Sequence, residues 1–278
     1  SKISQVKESI SIRGDISSQY ISSLLMIAPV LPNGLKIDVM SPFYSKPYVM
    51  MTLNLMKKFG IKYDLSKDSI SINNQEYKSG SYKVESDWSA ASYWYSFISI
   101  NKKLKEIKLK GLREHSFQGD QVIKKIMTLF NVETLYDKDG IILRKKDFDC
   151  DYLELDFKDC PDLAQTVLVV AAFHKVKLKL YGVESLKIKE TDRLKAMSNE
   201  LKKIGVNFYD DNGVWTLDKR NNKFSNEASI ETYKDHRMAM AFAPLASEIN
   251  ITINNPYVVN KSYPSFWEDM KKAGYDII

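Results

Sequence analysis

The 278-residue chain is 44% hydrophobic, 12% aromatic and 27% charged, and it lacks any apolar run long enough for a membrane span or any composition typical of long disorder. Its length allows about three quarters of the unfolded surface to be buried, in one large domain or two smaller ones. Cys150 and Cys160 suggest neither a disulfide framework nor a zinc site, no signal peptide is legible, and the net charge of +6 (41 Lys and Arg against 35 Asp and Glu) is spread without an Arg-rich cluster; a reducing cytoplasm is expected, and phosphorylated small molecules fit the charge at least as well as nucleic acid.

In chain order the pattern is β-α-β-α-β-β, repeated. SISIRG reads as a strand, Ser17 to Val30 as a helix, GLKIDVM as a strand, Ser45 to Gly60 as a helix, and IKYDL with SISI as a hairpin turned at Ser66-Lys67-Asp68. A second unit runs through YKVES, the helix Ser89 to Ile100, KEIKLKG, the helix Gly119 to Phe130, and a hairpin VETLY–IILRK turned at Asp137 to Gly140. The third comprises DYLELDF, a helix from Pro161, VKLKLYG, a helix from about Thr191, and VNFYD–VWTL turned at Asn212-Gly213. The fourth has ASIETY, a helix from Asp235, ITINN, a helix from Tyr263 to Ala273, and a last strand YDII without a hairpin partner. A helix that closes into Gly or Asn and then a strand recurs at Gly60, Asn131, Gly205 and Gly274, 71, 74 and 69 residues apart, which marks duplicated units.

Chemistry concentrates where helices begin. In SLKIKETDRLKAMSNELKKIGV (Ser185 to Val206), Leu194, Met197, Leu201 and Ile204 form an apolar stripe that Gly205 ends. Lys189, Glu190 and Arg193 then stand at the helix mouth, where unpaired N–H groups favour an anion. Ser17-Ser18-Gln19, Asp87-Trp88-Ser89, Pro161-Asp162 and Asp235-His236-Arg237 open other helices, and Ser17, Asp87 or Asp162 taken singly reads as an ordinary cap. Asp235-His236-Arg237 differs, because MAMAFAPLA behind it is apolar on all sides and therefore buried. Arg237 must meet a protein carboxylate or an anionic ligand, and Pro244 must kink or end this helix.

SSQY, YKVESDWSAASYW, SFQGD, KETDRLKAM, TYKDHRMAMAFAPLA and NKSYPSFWEDM, in this order, resemble the EPSP synthase (3-phosphoshikimate 1-carboxyvinyltransferase) family from about Gly14 to the C-terminus. The resemblance implies an α/β protein of repeated β-α-β-α-β-β units forming two globules, the enolpyruvate transferase or inverse α/β barrel-like fold, with about four of six units here. Residues 1–83 would be the remaining unit of the first globule and 84–278 most of the second. The implied reaction joins phosphoenolpyruvate to the 5-hydroxyl of shikimate 3-phosphate and releases phosphate. It implies no metal and no cofactor, nucleic acid or membrane partner, a monomer, and a place in aromatic amino acid biosynthesis.

Residue by residue, the resemblance assigns Ser17 and Ser18 to the phosphate of shikimate 3-phosphate, Gln19 to its ring, and Ser45 and Tyr48 to the same substrate. Asp162 would hydrogen-bond the attacking hydroxyl. Lys189, Glu190 and Arg193 would transfer protons and bind phosphoenolpyruvate, with His236, Arg237 and Lys261 gripping it. The residue types suit the task, since guanidinium forks take phosphate and carboxylate bidentately, and addition followed by elimination needs groups that both give and take a proton.

The family's upstream Gly-Ser-Lys-Ser clamp, Asn-Ser-Gly-Thr segment and a further arginine have no counterpart ahead of Ser17-Ser18-Gln19, and Lys78-Ser79-Gly80-Ser81 sits in the wrong place to replace the clamp. The chain is accordingly expected to be a partial enzyme, inactive alone, with scant core under the helices of its first unit and an open sheet edge beside Tyr275 to Ile278. The related transfer to UDP-N-acetylglucosamine is the nearest alternative; KETDR and DHRMAM side with the shikimate branch. A basic RNA-binding β-α repeat would need a basic stripe with exposed aromatics, whereas most Tyr and Phe here fall at core spacing.

Overall fold

The structure, a computed structural model, describes residues 5–219 and 225–278. The first four residues of the 1–83 segment lie outside them. The chain divides into two compact units. The smaller holds the residues up to Glu85 with His115–Gly119 and Lys158–Cys160; the larger holds Ser86–Glu114, Asp120–Phe157 and Pro161–Ile278. A single cut after residue 83 does not foresee the two short segments that return to the smaller unit.

The smaller unit follows the predicted order: β1 (Ser9–Arg13), α1 (Ser18–Ile27), β2 (Leu35–Met40), α2 (Lys46–Lys58), β3 (Asp64–Leu65) and β4 (Ser69–Ile72), in a sheet ordered β1-β2-β4-β3. The pairing β1–β2 is parallel and β2–β4 antiparallel. Leu35, Ile37 and Val39 alternate inward from β2 and meet Ile21, Leu25, Val49 and Leu53 of the two helices. On α1, Tyr20, Met26 and Ile27 stay exposed, as does Ile16 just before it.

The larger unit contains α3 (Trp88–Ile100), β5 (Glu106–Lys110), α4 (Ile123–Thr128), β6 (Val132–Asp137), β7 (Gly140–Lys145), β8 (Tyr152–Asp156), α5 (Ala164–His174), β9 (Lys177–Tyr181), α6 (Arg193–Lys203), β10 (Phe208–Asp211), β11 (Val214–Leu217), β12 (Glu227–Ile230), α7 (His236–Phe242), β13 (Asn250–Ile253) and α8 (Phe266–Lys272). Its sheets are ordered β5-β7-β6, β10-β11-β9-β8 and β12-β13. Helices α3, α5 and α7 pack on one another and are buried almost all round, which explains why their sequences carry no polar face. Each opens a repeat, so the duplication places equivalent helix starts side by side.

Several expectations change. YKVES forms no strand, and YDII is irregular, pairing with no strand among the described residues; Tyr275 instead sets its ring 4.9 Å from that of Phe97 and its hydroxyl against Ser247 and Asn101. The helix expected from Thr191 starts at Arg193, capped by Asp192, which accepts from Lys195 N–H. The stretches from Gly119 and Pro161 begin as 3-10 turns, and Pro244 sits in another, Ala243–Ser247, that ends α7. Some tyrosines depart from core spacing: Tyr20, Tyr77, Tyr136, Tyr152, Tyr181, Tyr209 and Tyr257 are exposed, since a phenol is easier to satisfy at a wet surface. Tyr152 and Tyr181 both donate to Glu154.

His174, at the end of α5, lies 4.4 Å ring to ring from Phe148 and shares a 2.8 Å hydrogen bond with the Ser99 hydroxyl. Burial, reinforced by the Lys145 charge, pushes its pKa down to about 4. The unfolded chain therefore binds a proton that the fold refuses between pH 6.5 and about 4, and stability present above that window is lost as pH falls through it. Removing this group with His174→Phe should flatten the acid side of the stability curve by up to about 3 kcal/mol, read from urea melts at pH 7 and pH 4.

Candidate active site

Arg193 is the first residue of α6 and the centre of a charged cluster in the larger unit. Its helix stripe directs it inward, where it is only 1% exposed. A guanidinium can be buried there because three carboxylates meet it. Nε donates to Asp235 Oδ2 at 2.6 Å, Nη1 to Asp162 Oδ1 at 2.8 Å, and Nη2 to Glu190 Oε2 at 2.8 Å and to Asp235 Oδ1 at 3.4 Å.

Each acid reaches a second partner. Asp235 is the N-cap of α7, with no exposed surface, and Oδ1 accepts the backbone N–H of Arg237 at 2.8 Å. Asp162, which by itself reads as a cap, accepts from Arg237 Nη2 at 3.0 Å and has Lys189 Nζ 3.8 Å away. Glu190 pairs with Lys261, a residue at the end of the turn Pro256–Lys261. Arg237 also donates to the Asp162 carbonyl at 3.3 Å and toward the Tyr93 hydroxyl at 3.4 Å. Asp162, Lys189, Glu190, Arg193, His236, Arg237 and Lys261 thus come together, drawn from four separated stretches.

The electrostatics follow. Burial opposes ionisation of Asp162, but Arg237, Lys189 and Arg193 outweigh it and hold the carboxyl well below its usual range. For Glu190 burial again opposes, and the Lys261 hydrogen bond with the Arg193 charge brings it down to about 2. Burial, then the Arg237 charge, lowers the His236 pKa against the pull of Asp235, so its imidazole is neutral near pH 7. Four cations face three carboxylates, and the surplus positive charge suits an anion.

The remaining predicted residues belong to the smaller unit. Ser17 caps α1 by accepting Gln19 N–H at 3.3 Å, Ser18 is its first residue, and Gln19 is exposed. Ser45 is buried with φ 58° immediately before α2, and Tyr48 lies in the first turn of that helix. Two members of the cluster were missed by sequence reasoning. Asp235 was legible only as part of the Asp235-His236-Arg237 helix start, with no role of its own, and Tyr93 was hidden in an apolar helix, although a phenol in a helix buried on every side must find a polar partner. Burial raises the Tyr93 pKa to about 12, which keeps it a phenol.

A sequence model described as EPSP synthase (3-phosphoshikimate 1-carboxyvinyltransferase) matches residues 2–270. The 3-phosphoshikimate 1-carboxyvinyltransferase of Bacteroides fragilis is 44% identical over 271 residues, 96% of this chain and 66% of that protein. The protein of the same name from Methanocaldococcus jannaschii is 36% identical over 272 residues, 96% of this chain and 62% of that protein. Among solved structures, EPSP synthase from Acinetobacter baumannii aligns with a TM-score of 0.74 at 19% identity, over 96% of this chain and 63% of that one. The enolpyruvyl transferase NikO from Streptomyces tendae aligns with a TM-score of 0.68 at 12% identity, over 96% and 64%. These two likenesses concern the fold. The chain spans just under two thirds of the length of the curated relatives it matches.

Proposed function

Since the chain belongs to the EPSP synthase family, we propose that it carries the phosphoenolpyruvate-handling part of an enzyme that transfers the enolpyruvyl group to the 5-hydroxyl of shikimate 3-phosphate and releases phosphate, in the cytoplasm. The observation that carries this reading is Asp162 held between Arg193 and Arg237, with Lys189 beside it. Arg237, Lys189 and Lys261 are the ligand-facing cations, and His236 offers a neutral imidazole beside them. Arg193 is the scaffold that keeps three acids in place, because protein carboxylates already occupy its Nε and both Nη atoms. Ser17, Ser18, Gln19, Ser45 and Tyr48 bind the shikimate 3-phosphate in this reading.

In the addition step a proton goes to the methylene carbon while the hydroxyl oxygen bonds to the enol carbon and loses its own proton. Elimination then takes a proton from the new methyl group and expels phosphate, restoring the double bond. Asp162 is a weak base as it stands, and so is Glu190. An incoming phosphate changes both, since its negative charge raises neighbouring carboxyl pKa values, and a phosphate that draws Lys261 away removes the hydrogen bond that holds Glu190 down. Basicity then arrives with the substrate. Asp162 orients the hydroxyl, and Lys189 and Glu190 exchange the protons.

The test is phosphate release by the full-length protein, which should require both substrates. Arg237→Ala should remove a charged hydrogen-bond set worth about 1.5–3 kcal/mol, lowering phosphoenolpyruvate affinity by roughly ten- to a hundredfold in calorimetric titration. Phosphate release with UDP-N-acetylglucosamine in place of shikimate 3-phosphate, or an unchanged affinity in the Arg237 variant, would refute the assignment.

A further inference from the structure

Helix α6 buries a second charged residue. Glu200 is seven residues beyond Arg193, two turns along the same face, and has no exposed surface. A carboxylate so placed must be saturated with donors. Glu200 Oε2 accepts the backbone N–H of Glu231 at 3.0 Å and Lys203 Nζ at 2.6 Å, and Oε1 accepts the Tyr233 hydroxyl at 2.8 Å. Lys203 extends the tie by donating to the Ser229 carbonyl at 3.0 Å, and Asn199 Nδ2 reaches the Tyr233 hydroxyl at 3.4 Å.

The segment held in this way is strained. Tyr233 and Lys234 are consecutive non-glycine residues at φ 52° and 57°, in the left-handed region that L side chains enter at a cost. Asp235, His236 and Arg237 follow at once. The double turn therefore decides where the cap of α7, the imidazole and the guanidinium begin. Helix α6 grips this segment at two points: Arg193 holds Asp235 after the turn, and Glu200 holds Glu231 and Tyr233 across it. The turn is closed by the Asp235 N–H, which donates to the Thr232 carbonyl at 2.8 Å, while the Tyr233 side chain is half-buried and that of Lys234 exposed.

We propose that Glu200 is a positioning residue for phosphoenolpyruvate capture: it keeps the Tyr233–Lys234 turn left-handed and so aims His236 and Arg237 at the ligand. The proposal rests on the functional reading above. In the full-length protein, Glu200→Ala should raise KM for phosphoenolpyruvate by about tenfold while KM for shikimate 3-phosphate stays unchanged. Loss of folded protein alone would lower apparent turnover and leave both KM values in place. Lys234→Gly, which adopts φ near 57° freely, should restore most of the lost phosphoenolpyruvate KM when added to Glu200→Ala. Tyr233→Phe removes one donor to Glu200 and should show a smaller shift in the same direction; it decides the matter if Glu200→Ala does not fold.

Hydrogen exchange supplies the readout that does not depend on turnover. Amides of 231–237 should exchange about tenfold faster in Glu200→Ala, or in Tyr233→Phe to a lesser degree, with β8 and β9 unchanged. A uniform rise in exchange, an equal rise in both KM values, or no rescue by Lys234→Gly overturns the positioning role. If the wild-type protein shows no turnover, the functional reading fails, and exchange over 231–237 alone still decides whether Glu200 holds the turn.

Discussion

Arg193→Ala should destabilise the larger unit by about 3–5 kcal/mol in urea melts at pH 7, because it strips the shared partner from three carboxylates of which Asp235 has no exposed surface. Lost packing is the smaller part. The larger part is mutual repulsion among the acids and the desolvation of charge that Arg237, Lys189 and Lys261 offset only in part. That origin fixes the pH dependence. In the wild-type fold Asp162 and Glu190 ionise below their ordinary values of 3.8 and 4.5, so their stabilisation is full above those values and is lost as pH falls toward the depressed ones. In the variant Asp162 keeps Arg237 and Lys189 and Glu190 keeps Lys261, so both carboxyls are held down less strongly, and the deficit is largest at high pH and shrinks as protonation removes the charge. The two stability curves should converge as pH falls below the ordinary carboxyl values of 3.8 and 4.5. A deficit that stays constant across this fall in pH would mean that packing, not charge, is what Arg193 contributes. Arg193→Lys should recover little, as an ammonium group cannot reach three acids in one plane.

Glu190→Gln should reduce kcat by about 10²–10⁴-fold while phosphoenolpyruvate affinity changes far less, the split expected when a group that moves a proton is replaced by an isostere that cannot. Glutamine keeps the side-chain shape and one oxygen that accepts from Arg193, while its NH2 cannot accept from Lys261, so most of the cluster stays in place and the loss falls mainly on the chemical step. Folding stability measured alongside should drop far less than in the Arg193 variant. A kcat within tenfold of wild type would leave Lys189 as the proton carrier and reduce Glu190 to holding Lys261.

How much of this was legible beforehand differs between the two levels. The alternation in LKIDVM, the Asn212-Gly213 turn and the Gly or Asn after each helix are local signals, and the elements they predict form where expected. YKVES and YDII carry strand-like residues too, yet neither pairs, because a strand exists only through a neighbour that local sequence does not name. The same division governs the site. Sequence placed Lys189, Glu190 and Arg193 at one helix start and demanded a partner for Arg237, since an apolar run like MAMAFAPLA must be buried. The partner was left open between a protein carboxylate and a ligand, and Asp162 answers it from 75 residues away.

What the sequence by itself determined is therefore the repeat, the helix starts and the necessity of charge pairing in a buried place, all consequences of periodicity and desolvation. Only the tertiary structure decided which acid meets which base. It turned Arg193 from a helix-mouth cation into the hub of three carboxylates, made Asp235 as central as any predicted residue, and put Glu200 behind a backbone turn that its position in α6 does not suggest. The physical reason is that periodicity reports whether a side chain points inward, whereas the identity of its neighbour depends on how duplicated helices pack after folding, and Coulomb energy in a buried site is set by those few ångströms.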